Sequence, residues 1–255
     1  MNRIDKVFKE KTKLLNVYFT AGFPHLNDTA TIIKYLASAG ADLIEIGIPF
    51  SDPLADGVVI QQSSQTAIDN GMTLALLFEQ LHGIRQHTDV PLILMGYLNP
   101  VLQFGIEKFC KEAARIGIDG IILPDLPLQE YLDEYQNIFE QNGLHNIFLI
   151  TPQTSEKRIW QIDQHSKGFI YMVASASTTG TKNGISPEQI AYFERIKALN
   201  LRNPRLIGFG ISDKTSFDTA NLYADGAIIG SAFIKLLANC QNLEKDIKNF
   251  IHSIK

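Results

Sequence analysis

Two carboxylates stand out in the stretch GADLIEIGIPFSDPLADG, residues 40–57. Glu45 lies inside an apolar run, and side chains alternate along a strand, so Leu43, Glu45 and Gly47 share one face and Ile44, Ile46 and Ile48 the other. The isoleucines suit a helix-covered side, which turns Glu45 inward. A carboxylate without water is driven toward neutrality, as a proton-shuttling acid or base requires. The competing reading is a structural glutamate paired with a base. Asp56 ends a loop stiffened by Pro49 and Pro53, with Gly57 free to make a tight turn. Asp52 or Asp56 could instead cap the helix expected from about Ile60. A cluster of Glu45, Asp52, Asp56 and Asp125 could hold magnesium. Its apolar neighbours argue against that, and no metal is expected.

A second set of residues concerns an anion. Gly210 and Gly230 let backbone N–H groups approach a phosphate, and Ser231 adds a hydroxyl where a helix begins. The same glycines would also serve tight turns. Tyr18, Tyr97, Tyr171 and Phe209 could line a flat apolar pocket, although each taken singly fits a packed core. The expected strand ends carry no lysine, histidine or cysteine. That argues against a Schiff-base aldolase, a hydrolytic zinc site and a thiol nucleophile.

These residues need elements to hold them. Short apolar runs read as strands over 16–20, 43–46, 92–96, 120–123, 146–150, 169–173, 205–208 and 227–230. Helical patterns fill the gaps, for example 29–39, 74–86, 106–115, 128–141, 187–199 and 214–222, and a charged helical segment, MNRIDKVFKEK, precedes them. Eight strand-then-helix units in this length predict an α/β fold, a single (β/α)8 TIM barrel with an extra N-terminal helix. A doubly wound sheet is the rival. A weak repeat favours the barrel: SAGADLIEIG (38–47), RIGIDGIILPD (115–125) and LYADGAIIG (222–230) each end a helix, turn and start a strand. Gly40 and Gly117 look like left-handed helix C-caps. No linker interrupts the chain, so residues 1–255 are expected to form one domain. In a barrel the sites lie at the C-terminal ends of the strands, where the residues above fall.

Composition narrows the function classes. The chain has 255 residues, 45% hydrophobic, with a net charge of −4. Its 23 basic residues are scattered, which leaves no nucleic-acid footprint. Cys110 and Cys240 match no metal or disulfide spacing and read as free thiols. No run reaches the ~18 apolar residues of a membrane span, and the N-terminus is no signal sequence. A cytoplasmic protein with no membrane contact is expected.

The stretch 40–57 resembles the signature of the tryptophan synthase alpha chain family. The resemblance continues through YFTAGFP (18–24), LMGYLNP (94–100), LPDLP (123–127), YMVASASTTG (171–180) and GFGIS (208–212), and covers essentially the whole chain. It implies cleavage of indole-3-glycerol phosphate to indole and glyceraldehyde 3-phosphate. It puts the catalytic pair on Glu45 and Asp56, a loop threonine that engages the aspartate on Thr179, and a substrate tyrosine on Tyr171. The phosphate positions fall on Gly180, Gly210, Gly230 and Ser231. The implied partner is a beta subunit that carries pyridoxal phosphate and takes up indole, in an alpha2beta2 assembly. The alpha chain itself is implied to carry no cofactor.

The chain departs from the family in the sixth strand-to-helix loop. Ser177 and Thr178 stand where many members have glycine and valine, and loss of the glycine should stiffen the backbone and alter the rate of loop closure. Glu45 is expected to protonate carbon C3 of the indole and then take the proton of the glycerol hydroxyl, while Asp56 holds the ring N–H. The rivals are another phosphate-sugar enzyme on the same barrel and a non-catalytic barrel that regulates a partner. Pro49, Phe50, Pro53 and Leu54 put apolar groups on the loop that carries Asp56, so a partner docking there could set the position of the carboxylate.

Overall fold

The computed structural model describes residues 1–174, 185–208 and 210–255. Ser177, Thr178, Thr179, Gly180 and Phe209 lie outside the described residues. Nine strand pieces run parallel: β1 Leu14–Thr20, β2 Leu43–Gly47, β3 Leu92–Met95, β4 Gly120–Ile122, β5 His145–Asn146, β6 Leu149–Ile150, β7 Ile170–Val173, β8 Arg205–Gly208 and β9 Gly226–Ile229. Their order in the sheet is β5-β4-β3-β2-β1-β9-β8-β7-β6. The two end pieces, β5 and β6, are separated by only Ile147 and Phe148. The Ile147 N–H donates to the Ile121 carbonyl, and the Tyr171 N–H donates to the Phe148 carbonyl. One broken strand therefore touches both ends of the sheet and closes it, which gives eight barrel strands. The alternating units predict this TIM-type α/β fold, and the doubly wound sheet is excluded.

The strands are mostly apolar because helices cover one face and barrel side chains the other, and the polar exceptions in β1 and β2, Asn16, Thr20 and Glu45, are buried. Every residue of β1 and β2 is buried. Predicted strand positions agree to within two residues. The turns follow their local chemistry: Gly40 and Gly117 end their helices with φ of 99° and 87°.

Two predicted helices are interrupted. The segment 74–86 is helical over Leu74–Gln80 and resumes as a short 3-10 turn at Ile84–Gln86, because Gly83 takes a left-handed φ of 76°. The segment 128–141 widens into a π turn over Tyr131–Tyr135. The added residue in that turn lets Tyr131 and Phe139, eight positions apart, both face the core, with ring centroids 5.6 Å apart.

The N-terminal helix Arg3–Glu10 closes the end of the barrel opposite the site. Asn2 caps it by accepting from the Ile4 N–H. Ile4 is fully buried, and a β-carbon at Gly120 would stand 2.9 Å from its Cδ1, so glycine there makes room for the plug. Phe8 packs on Phe169, with centroids 5.8 Å apart. Among the described residues, no helix is long and apolar enough to cross a membrane.

Candidate active site

The site is built from the C-terminal ends of β1, β2 and β3 and the loop after β2. Glu45 sits in register with Tyr18 of β1 and Ile93 of β3, and it has no exposed surface. The Nδ2 of Asn16 donates to its Oε2 at 2.8 Å, while Oε1 has no partner among the described residues. No cation pairs with it among the described residues, so the reading of a base-paired structural glutamate fails. Burial pushes the Glu45 carboxyl up to about 8. The Asn16 amide opposes the rise and the charge of Asp56 adds to it.

Asp56 is also buried, at 7% exposure. Its Oδ2 accepts from the Tyr97 hydroxyl at 3.0 Å, and that hydroxyl in turn accepts from the Ala55 N–H at 3.0 Å. Desolvation raises the Asp56 carboxyl to about 6 against the pull of the Tyr97 donor. A turn fixes its backbone: the Asp56 N–H reaches the Pro53 carbonyl at 3.0 Å, and the Gln61 Nε2 holds the Asp56 carbonyl at 2.9 Å. The following helix runs Val58–Asp69 with Gly57 at its N-cap and no side-chain cap. Asp56 is therefore not a capping residue, and Asp52 is engaged by the neighbouring Ser51.

The tyrosines form the walls. Tyr18, Ile48, Phe50, Asp56, Met95 and Tyr97 border one opening. Phe50 lies against Tyr97, ring centroids 5.1 Å apart. Glu45 is not on that wall but stands beside Tyr18 in the barrel interior. The Ser63 hydroxyl donates to the Ile60 carbonyl at 2.8 Å and lies 2.6 Å from the Thr20 hydroxyl. A hydroxyl has one proton to give, so Thr20 donates to Ser63 and Tyr18 donates to Thr20, across 3.4 Å. Tyr171 is buried on β7. Burial and the carboxylates Glu45 and Asp56 hold the hydroxyls of Tyr18 and Tyr171 far above the usual phenol range. Both tyrosines stay neutral as hydrogen-bonding groups.

Gly210 and Gly230 follow neighbouring strands, β8 and β9. Gly210 takes a φ of 83°. Gly230 is the N-cap of the helix Ser231–Ala238 and abuts Tyr18, since a β-carbon there would stand 3.4 Å from its ring. Ser231 is the exposed first residue of that helix. Asp125 does not join the carboxylates, because both its oxygens accept from the Leu98 N–H. No group of three or more metal-ligating side chains gathers among the described residues. Asn16 went unnoticed in the sequence. Its signal was an asparagine inside a β-branched and aromatic strand, on the same face as Tyr18.

The arrangement pairs two desolvated carboxylates of unlike surroundings beside aromatic walls. Residues 4–255 match the family model described as tryptophan synthase alpha chain. The chain belongs to the tryptophan synthase alpha chain family. A tryptophan synthase alpha chain of Flavobacterium johnsoniae is 57% identical over 255 residues, with all of both chains covered. That of Bacteroides thetaiotaomicron is 50% identical over 256 residues, again with full coverage of both. Among solved structures, the alpha chain of Legionella pneumophila superposes with a TM-score of 0.90 at 33% identity, covering 100% of this chain and 96% of that one. A chain of the tryptophan synthase complex of Pyrococcus furiosus gives 0.87 at 32% identity, covering 96% and 98%. The known reaction of the family is cleavage of indole-3-glycerol phosphate, and this chain is a lyase of that family.

Proposed function

We propose that Glu45 and Asp56 divide the proton chemistry of this cleavage between them. The observation that carries the reading is the pair itself: Glu45 fully buried and raised to about 8, Asp56 raised to about 6 and held by Tyr97. At neutral pH the first is mostly an acid and the second mostly a base. Glu45 gives its proton to C3 of the indole ring, and the positive charge that develops is shared with the ring nitrogen. Asp56 accepts the N–H and stabilises that charge. Glu45, now ionised, takes the proton of the glycerol hydroxyl beside the scissile carbon–carbon bond. The bond breaks, its electron pair restores the indole, the hydroxyl carbon becomes the aldehyde, and Glu45 is protonated again.

Tyr18, Tyr97 and Tyr171 supply flat walls for the ring, with Phe209 and Thr179 as further expected contacts. Gly210, Gly230, Ser231 and Gly180 are proposed to receive the phosphate through backbone N–H groups and one hydroxyl. The indole passes to a beta subunit that carries the pyridoxal phosphate, in an alpha2beta2 assembly, while this chain works without a cofactor in the cytoplasm as one 255-residue domain. The existence of tryptophan synthase complexes among structural relatives supports the partnership. An indole-release assay on indole-3-glycerol phosphate, with and without the cognate beta subunit, tests the reading. Release of indole in equal amount with glyceraldehyde 3-phosphate is expected. No indole under either condition would return the site to another phosphate-sugar chemistry.

A further inference from the structure

Asn16 occupies the middle of β1, in register with Leu43 of β2 and Ile228 of β9, and has no exposed surface. Asparagine is depleted from strands, and burying a primary amide is unfavourable unless its hydrogen bonds are replaced. Its Oδ1 has no partner among the described residues, whereas its Nδ2 is 2.8 Å from the Glu45 Oε2. The amide is therefore kept for a single contact, and that contact is with the buried acid. Among the described residues, the titratable groups whose charge couples to Glu45 are the Asp56 carboxyl and the Tyr18 and Tyr171 hydroxyls. No cation faces it among the described residues.

The chemistry of the contact follows from the donor. An N–H can only give, so the oxygen it holds must accept. An acid proton on Oε2 would compete with the amide for that oxygen. The proton of the neutral carboxyl accordingly sits on Oε1, which has no partner among the described residues. We propose that Asn16 is the positioning residue of the Glu45 acid: its amide fixes Oε2 and so keeps the transferable proton on Oε1. This rests on the reading of Glu45 as the proton donor. An apolar residue at position 16 would leave the carboxyl free to rotate about its last bond and to hold its proton on either oxygen. The amide also favours the charged form, so it makes the buried group a better acid than burial alone would allow.

Asn16→Leu keeps the approximate shape and removes the donor. In the full chain, with the beta subunit present, kcat for indole release should fall roughly 10- to 100-fold, the scale of a lost hydrogen bond to a charged group, with KM close to the parent's. The alkaline limb of the kcat profile should move up by about one pH unit, because the undonated carboxyl ionises less readily. Carbon-13 NMR titration of the Glu45 carboxyl, identified by its loss in Glu45→Gln, should move in the same direction without reference to activity. Asn16→Ala, which leaves a void instead of a new shape, should repeat the upward titration. Lower activity with an unmoved titration in both variants would make Asn16 a packing residue and overturn the proposal, as would parent-like kcat and limb in Asn16→Leu. Full turnover in Glu45→Gln would instead defeat the catalytic reading, and the titration would still report on the contact.

Discussion

The hydroxyl of Tyr18 lies where a side chain at Gly47 would begin: a β-carbon there would stand 2.2 Å from the Tyr18 oxygen. Tyr171 stands in the same relation to Gly208, with a hypothetical β-carbon 2.2 Å from its ring. Both glycines end barrel strands, and both are small because a tyrosine crosses over them. Gly47→Ala should therefore displace Tyr18 and destabilise the fold by about 1–3 kcal/mol, the usual scale of overpacking. Combining it with Tyr18→Leu should restore most of the stability. Thermal unfolding of the two variants checks this, and an unperturbed Gly47→Ala would contradict it.

Glu45→Gln keeps the size of the side chain and removes its proton, and Asp56→Asn removes the charge expected to face the ring nitrogen. Each should lower kcat by at least ~10²-fold, the scale of a lost general acid or base, with the fold retained. Circular dichroism and indole release measured together decide the matter. Near-normal turnover in either variant would remove that residue from the mechanism.

The pH profile should be bell-shaped. Activity needs Asp56 ionised and Glu45 protonated. It is lost below the Asp56 value of about 6 and above the Glu45 value of about 8. The two groups interact, so these limbs belong to the pair. Stability responds in one direction only. The folded-state carboxyl of Glu45 holds its proton above the unfolded value of 4.5, so the folded protein binds more protons between that value and about 8 and loses stability as pH rises through this window. Glu45→Gln should flatten that decline. Chemical unfolding at pH 5 and pH 8, both inside or at the edge of the window, reads it; equal slopes for parent and variant would show that Glu45 titrates normally.

Phosphate binding should rest on backbone groups. Glycerol phosphate and inorganic phosphate should compete with the substrate, and Gly210→Ala should weaken both by straining a residue whose φ is 83°. A crystal soaked in phosphate should carry the anion beside Gly210, Gly230 and Ser231. An anion bound elsewhere, with these residues bare, would refute the assignment.

The loop after β2 offers a test of partner activation. Leu54 is 88% exposed and Val58, at the start of the next helix, 61%, whereas Pro53 is buried and its carbonyl accepts from the Asp56 N–H. The loop thus has an outward apolar side chain and an inward turn that sets Asp56. Pro53→Gly should loosen the turn and reduce stimulation by the beta subunit, with unfolding temperature nearly unchanged. A tenfold stimulation corresponds to only about 1.4 kcal/mol of preference for the competent loop. If Pro53→Gly is stimulated as fully as the parent, the loop does not transmit the effect.

The barrel and the position of Glu45 were legible because period-two alternation and strand–helix alternation are written in side-chain polarity. Glu45 could be turned inward from its isoleucine neighbours alone. The turn at Asp56 was legible only as an alternative to capping, since a carboxylate before a helix fits both and the Tyr97 hydroxyl that decides it is 41 positions away. Asn16 was missed for the same reason, as its partner lies on the next strand. The broken helices depended on Gly83 choosing a left-handed φ and on how Tyr131 packs, and only tertiary contacts fix either. Pro53 was expected to show its ring at the rim, but the turn it helps to make folds it inward.

The split between β5 and β6 gives the cylinder a seam. Most other neighbours share longer ladders, such as the five registered pairs from Asn16↔Leu43 to Thr20↔Gly47, and where β8 and β9 register only Leu206↔Gly226 and Ile207↔Ala227, both strands are unbroken. At the seam each side has two, Gly120↔His145 and Ile121↔Asn146 on one flank, Leu149↔Tyr171 and Ile150↔Met172 on the other. Cooperative opening begins where the fewest bonds must break together. The molecule should therefore exchange amide hydrogen as two unequal staves: the wall from β1 to β4, which holds Glu45, shielded longest, and the Ile147 and Tyr171 amides at the join released first.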